Sequence, residues 1–311
     1  MGFKFAARTL LELGKELIST DEVALYELIK NSIDARSPVV AIVFNVCLLR
    51  SHYEEALDAL SKKKPFDVIR DRVKGQLLSD AAPDAKKAFL TAIDAASDRA
   101  SLGEALRAGY ASSNWIEVRD QGVGMSLQEL NDIYLTVGTR AKRKENLKGA
   151  AYLGDKGVGR LSAMRLGEHL SVVTSKSGER HLNVLDIDWT LFGHDVEGEV
   201  GDVAIDPRIG TNKQSDTEHG TIIRITSLNS DWPRARVLDL LSGAIARMVD
   251  PFQPGRGNEL LHVAHNGTRL LVPSIPPLLL RAAHATCKAT LKFEDGVPIF
   301  SGSIDYGLRD Y

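Results

Sequence analysis

Residues 27–35 read Glu27-Leu-Ile-Lys-Asn31-Ser-Ile-Asp34-Ala35 and sit in a stretch with helical periodicity. At 100° per residue, Glu27, Asn31 and Asp34 fall within about 60° of one another, while Leu25, Leu28, Ile29 and Ile33 gather on the opposite side. One side packs; the other presents a carboxylate, an amide oxygen and a second carboxylate. A neutral amide oxygen suits Mg2+, a hard cation that keeps several waters and takes phosphates as its other ligands. A carboxylate one turn earlier can orient or deprotonate a water for attack on a phosphate. Read alone, the same pattern also fits a solvated polar helix face.

Working outward, Ser19 followed by Glu22 has the form of a capping box that opens this helix, and Pro38 stops it. Leu10, Leu13 and Leu17 mark an earlier helix. The β-branched run from Val39 and the stretch Asn114 to Asp120 read as strands. Between them, Phe66, Ile69, Val73 and Leu77 form one apolar stripe, and Phe89, Ile93, Leu102 and Leu106 form others. A helical insertion over about 48–111 is expected. Beyond Asp120 come a glycine turn, a helix from about Ser126, a basic stretch, a second glycine turn, and a helix through Met164. Strands are expected near 169–174, 181–188 and 220–228, with a helix over about 236–248. The Pro/Gly-rich stretch Asp250 to Gly257 reads as the end of a first domain, 1–250. Residues 251–311, with strands near 260–264 and 285–293, then start a second α/β domain that is cut short.

With 311 residues, 43% hydrophobic and 26% charged, the chain is of ordinary globular composition, which excludes disorder and collagen-like repeats. A net charge of -2 argues against a whole-surface footprint for nucleic acid. Cys47 and Cys287 form neither a CxxC pair nor a disulfide framework. With no long apolar run, a cytoplasmic, reducing location without membrane contact is expected.

Three further motifs carry chemistry. Asp120-Gln-Gly122-Val-Gly124-Met125 follows a strand directly, so its carboxylate can accept from an exocyclic amine such as that of adenine, beside glycines that let the backbone turn and approach a flat ligand. A tight turn capped by Asp reads the same way. Gly154-Asp155-Lys156-Gly157-Val158-Gly159-Arg160 opens a helix whose amides suit phosphate, or else forms a hinge. It is neither a P-loop nor a dinucleotide fingerprint. His219-Gly220-Thr221 enters a strand, where Thr221 adds a hydroxyl; alone it is uninformative.

In this order the four motifs closely resemble the N box and glycine boxes of the GHKL ATPase superfamily, over about residues 9–228. The resemblance implies a Bergerat fold: a two-layer α/β sandwich, a mixed sheet with helices on one face, binding ATP beneath a lid at about 136–160. It implies Glu27 as general base, Asn31 as Mg2+ ligand, Asp34 as an ordering group and Asp120 as adenine partner. Gly122, Gly124 and Met125 would line the turn under the base, Thr139 and Lys142 the lid entry, and Gly154, Asp155, Lys156, Gly157, Val158, Gly159 and Arg160 the phosphates. Thr221 would lie near adenine. The dense basic run Arg140, Lys142, Arg143, Lys144 and Lys148 reads as a solvated loop before a DNA patch.

In sensor kinases a helical segment bearing a phospho-accepting His precedes the N box; only 26 residues precede Glu27 here, none of them His. With a water-activating carboxylate present, the motif order looks most like the chaperone, MutL, MORC and type II topoisomerase branch. That similarity implies ATP hydrolysis, lid closure and an ATP-dependent homodimer that acts on DNA or a protein client through further C-terminal domains. The alternatives are a histidine- or serine-directed kinase sharing the pocket and a non-hydrolysing ATP-binding module. The helical insertion departs from the common pattern, and neither Lys288 nor Lys292 is assigned as a phosphate sensor.

Overall fold

The computed structural model describes residues 18–134, 162–192, 205–249, 256–273, 285–294 and 297–306, with single positions 9, 12, 14, 16 and 203. The first element is helix α1 (Asp21–Asp34), followed by strand β1 (Val40–Asn45). Four helices follow: α2 (Arg50–Ser61), α3 (Phe66–Gln76), α4 (Pro83–Ala95) and α5 (Arg99–Ser113). Next come β2 (Trp115–Asp120), the short α6 (Leu127–Glu129) widening into a π turn over Leu130–Tyr134, and α7 (Ala163–Leu166). Then follow β3 (Gly167–Ser175), β4 (His181–Asp188), β5 (Arg208–Asn212), β6 (Gly220–Leu228) and α8 (Arg234–Leu240). The described chain closes with α9 (Arg256–Leu260), β7 (Leu261–His265), β8 (Thr268–Leu270) and a hairpin of β9 (Ala285–Glu294) and β10 (Val297–Tyr306).

Eight strands form one mixed sheet in the order β5-β4-β3-β6-β2-β1-β7-β8, and the β9–β10 hairpin stands apart from it. Every neighbouring pair in the large sheet is antiparallel except β1 with β7. The sheet therefore continues past the boundary expected at 250. The break there is a local Pro/Gly stretch, while Leu261 and Val263 return to pair beside Val40 and Ile42.

Alternation along the strands fills one face in rows. Ile187, Leu170, Ile225, Ile116 and Phe44 make one row across β4, β3, β6, β2 and β1, and Leu185, Val172, Ile223, Val118 and Ile42 make the next. All ten are buried. Helix α1 covers these rows with Ala24, Leu25, Leu28 and Ile29, joined in the same core by Leu166 of α7 and by Val237, Leu241 and Ile245 of α8 and its extension. At about 25 cal/mol per Å², such packing is what holds an amphipathic helix to a sheet.

The capping of α1 differs by one residue from the expected Ser19 box. Thr20 is the cap, extended at φ -139 and ψ 162, and its hydroxyl accepts from the Val23 amide at 3.3 Å. Asp21 and Glu22 in the first turn suit the positive end of the helix. Arg236 donates to both, at 2.8 and 3.1 Å, and its guanidinium lies 4.2 Å from the Trp232 ring centre.

Helices α2–α5 lie between β1 and β2, with a hydrophobic cluster of their own around Tyr53, Ile69, Val73, Phe89, Ile93, Leu102, Leu106 and Tyr110. It is seated by Tyr110 Oη donating to Leu228 O at 2.9 Å, and by Asn114, whose side-chain oxygen accepts from the Cys47 and Leu48 amides at 2.9 and 3.0 Å. Both anchors lie where β2 starts and β6 ends. Among the described residues no helix is long and apolar enough to cross a membrane.

Candidate nucleotide site

The third row of the same sheet face is polar. Asn183, Thr174, Thr221 and Asp120 stand side by side across β4, β3, β6 and β2. They are only 4, 1, 7 and 7% exposed. Burying such a row is costly unless its groups are satisfied, and the hydrogen bonds show how they are. Thr174 Oγ1 donates to Gly220 O at 2.9 Å, accepts from the Met125 amide at 3.0 Å, and lies 2.9 Å from Thr221 Oγ1, which therefore donates to it. Asn183 Nδ2 donates to Met125 O and to Glu179 Oε2, each at 3.0 Å.

Asp120 lies at the β2 terminus, where the row meets α1. Its Oδ2 accepts from Ser32 Oγ at 3.0 Å and its Oδ1 from the Gly122 amide at 2.9 Å. Burial pushes its pKa up; the Gly122 amide, the Ser32 hydroxyl, the Thr221 amide and the nearby His219 only partly offset this. Each carboxylate oxygen keeps a further lone pair, so this buried acceptor can take an additional donor. His219 Nδ1 donates to Gly122 O at 2.7 Å, fastening the turn from the other side.

The turn glycines are needed for packing. A Cβ on Gly122 would lie 2.5 Å from Ala35 O, at the end of α1. Gly124 has φ +65, and its Cβ would lie 1.9 Å from Ser175 O. Whatever they leave open for a ligand, these glycines have a packing reason as well: the loop is wedged between α1 and β3. The Val123 amide donates to Ala35 O at 3.0 Å, and the Gln121 amide to Ser37 Oγ at 2.8 Å.

Along α1, Glu27 and Asn31 are partly exposed on the expected side, one turn apart, and Asp34 is buried at the helix end. Lys30 Nζ lies 3.3 Å from Glu27 Oε1, the carboxylate being 26% exposed. Ser32, the residue after Asn31, ties α1 to Asp120 through its hydroxyl. An amide oxygen at Asn31 fits a hard cation. Among the described residues no group of three or more His, Cys, Asp or Glu could hold a metal; Mg2+ is a cation that takes an amide oxygen together with phosphate and water.

Thr139, Lys142, Gly154, Asp155, Lys156, Gly157, Val158, Gly159 and Arg160, with the whole of the expected lid at 136–160, lie outside the described residues. Sequence reasoning missed Ser32, Thr174 and Asn183. A signal existed for two of them: Ser32 interrupts the Leu25–Leu28 stripe, and Thr174 falls in register after Leu170 and Val172, so each is a polar group at a core position.

Comparison with known families agrees with this geometry. A family model described as histidine kinase-, DNA gyrase B-, and HSP90-like ATPase matches residues 92–221, under half of the chain. The match takes in Asp120, the turn glycines and Thr221, and does not reach Glu27, Asn31 or Asp34. No curated protein matches the chain. Over those residues the chain is similar to the histidine kinase-, DNA gyrase B- and HSP90-like ATPases, and its mixed α/β sheet fits that likeness.

Proposed function

We propose that the chain binds Mg-ATP at this corner and hydrolyses it. The observation that carries the reading is the buried polar row ending in Asp120, beside a helix that carries Glu27 and Asn31. The adenine amine donates to Asp120 while the Thr221 hydroxyl lies beside the base. Asn31 would hold Mg2+ through its amide oxygen, and a cation there would supply neutralisation of charge on the phosphates. Glu27 takes a proton from a water as that water's oxygen bonds to the γ-phosphorus. The bond from phosphorus to the bridging oxygen breaks, leaving ADP and phosphate. Asp34 orders the end of the helix.

The finer features belong to the same proposal. In this reading the roles of Thr139 and Lys142 at a lid entry and of Gly154 to Arg160 on the phosphates rest on the motifs quoted above. Lid closure favours a homodimer, and a unit following β8 passes the change to a DNA or protein client. Incubating the protein with γ-labelled ATP tests the hydrolytic reading: label released as free phosphate, and lost in Glu27→Ala, is expected. Label retained on protein would instead make it a kinase.

A further inference from the structure

Helix α1 carries polar contacts at both ends of one buried stripe. At 100° per residue, Asp21, Leu25, Leu28 and Ser32 fall within about 60° of one another, and all four are buried. Leu25 and Leu28 pack into the sheet core; that attraction is non-directional and decides which face packs rather than the axial position. The directional contacts stand at the two ends. At one, Ser32 Oγ donates to Asp120 Oδ2 at 3.0 Å. At the other, Asp21, only 6% exposed, accepts from Arg236 Nη2 on Oδ2 at 2.8 Å, and its Oδ1 lies 3.2 Å from Arg165 Nε. The two arginines come from different elements, Arg165 from α7 and Arg236 from α8. Arg236 is itself a fixed post: its Nη1 donates to Asp231 O at 2.7 Å, and its guanidinium lies 4.2 Å from the Trp232 ring centre. Asp231 Oδ1 in turn accepts from the Ser51 amide of α2 at 2.9 Å. A buried carboxylate costs desolvation that its partners must offset. The helix dipole does not demand one here, because Glu22, in the same turn and 41% exposed, already meets the positive helix end. The best-attested use of such a buried ionic group is to fix register.

We infer that Asp21 is a positioning residue for the hydrolysis proposed above: held by Arg236 and Arg165, it sets where the N-terminal half of α1 stands, and so where the Glu27 carboxylate meets the attacking water. The inference rests on that hydrolytic reading. Asn31 directly precedes the Ser32 anchor, whereas Glu27 lies five residues before that anchor and six after Asp21. Loss of the Asp21 anchor therefore displaces Glu27 and leaves Asn31 in place. A misplacement of about 1 Å costs on the order of 10²-fold in rate. Confined to Glu27, it lowers turnover without weakening the hold on bound nucleotide.

Asp21→Asn keeps the size of the side chain and removes its charge. Phosphate release from γ-labelled ATP is timed at saturating Mg-ATP in the parent, Asp21→Asn, Glu27→Ala and the double variant, while calorimetric titration reads affinity and stoichiometry. Asp21→Asn should lower kcat about 10- to 100-fold, with the Kd for Mg-ATP and the binding stoichiometry within about twofold of the parent. Added to Glu27→Ala, the same substitution should cost less than about threefold, because a residue that acts through Glu27 then has nothing left to position. A general loss of folded protein would lower both backgrounds alike. Where Asp21→Asn fails to fold, Arg236→Lys, which keeps the cation but loses the guanidinium fork, is read in the same way. Parental turnover in the variant, a loss as large without Glu27 as with it, or a Kd that rises in step with the fall in kcat would each overturn the proposal. A parent that releases no phosphate removes the hydrolytic reading, and this role with it.

Discussion

Replacing Asp120 by asparagine separates what the buried carboxylate does for a ligand from what it costs the fold. Its surroundings raise its pKa above the ordinary 3.8, burial outweighing the hydrogen bonds from Gly122, Ser32 and Thr221 and the field of His219. The folded chain therefore holds this proton more tightly than the unfolded chain. Stability is fully present below the unfolded value and is lost as pH rises through the folded one. Asparagine is neutral throughout that window. Its oxygen can accept from Gly122 while its NH2 donates to the Ser32 oxygen. Without nucleotide, Asp120→Asn should melt higher than the parent at neutral pH, with the difference vanishing at strongly acid pH. Nucleotide affinity should move the other way. A hydrogen bond to a charged group is worth about 1.5–3 kcal/mol, and the amide also sets a donor against the adenine amine, so Kd should rise about 10- to 150-fold. Thermal melts across a pH series and calorimetric titration with Mg-ATP read the two halves. Parental affinity would refute Asp120 as the adenine partner; a lower melting point at neutral pH would refute the electrostatic reasoning.

Glu27→Ala should keep Mg-ATP affinity while phosphate release falls about 10²- to 10⁴-fold; its partly exposed pair with Lys30 adds too little to stability to disturb folding. Gly124→Ala forces a side chain into a left-handed position and against Ser175 O. About 1–2 kcal/mol of backbone strain and about 1 kcal/mol from the Met125–Thr174 bond should appear as a loss of roughly 2–3 kcal/mol in urea denaturation. Gly109→Ala puts a Cβ 2.2 Å from the buried Phe89 ring. Overpacking of about 1–3 kcal/mol should raise hydrogen exchange within 50–113 while Mg-ATP affinity stays unchanged.

The sequence made the frame of the sandwich legible where periodicity was strong. Strand alternation from Val40 and from Trp115, and the helical stripe of α1, lie within a residue or two of expectation because one face of each is buried against the same core. β5 and β8 escaped notice for the opposite reason: Arg208–Asn212 is exposed or half-exposed throughout and Thr268–Leu270 is three residues long, so neither carries a pattern. The helix expected over 236–248 starts at Arg234 and widens at Leu241, a change of hydrogen bonding that side-chain spacing does not encode. At the site, Asp120 and Thr221 were visible through their glycines. Ser32, Thr174 and Asn183 become meaningful only when the register sets them in one row, which is a property of strand pairing across long stretches of chain.

Asn45 of β1 and Trp115 of β2 face each other in register, so the whole four-helix insertion stands where a hairpin turn would. Two strands already at pairing distance need only a two-residue connection such as Asn-Gly to be joined. Residues 46–114 are in that sense a cassette, whose anchorage is about 17 Å along β2 from Asp120. Excision, exchange or the splicing in of a fluorescent reporter at that point would alter the chain's outer contour and leave the nucleotide corner's own scaffold in place.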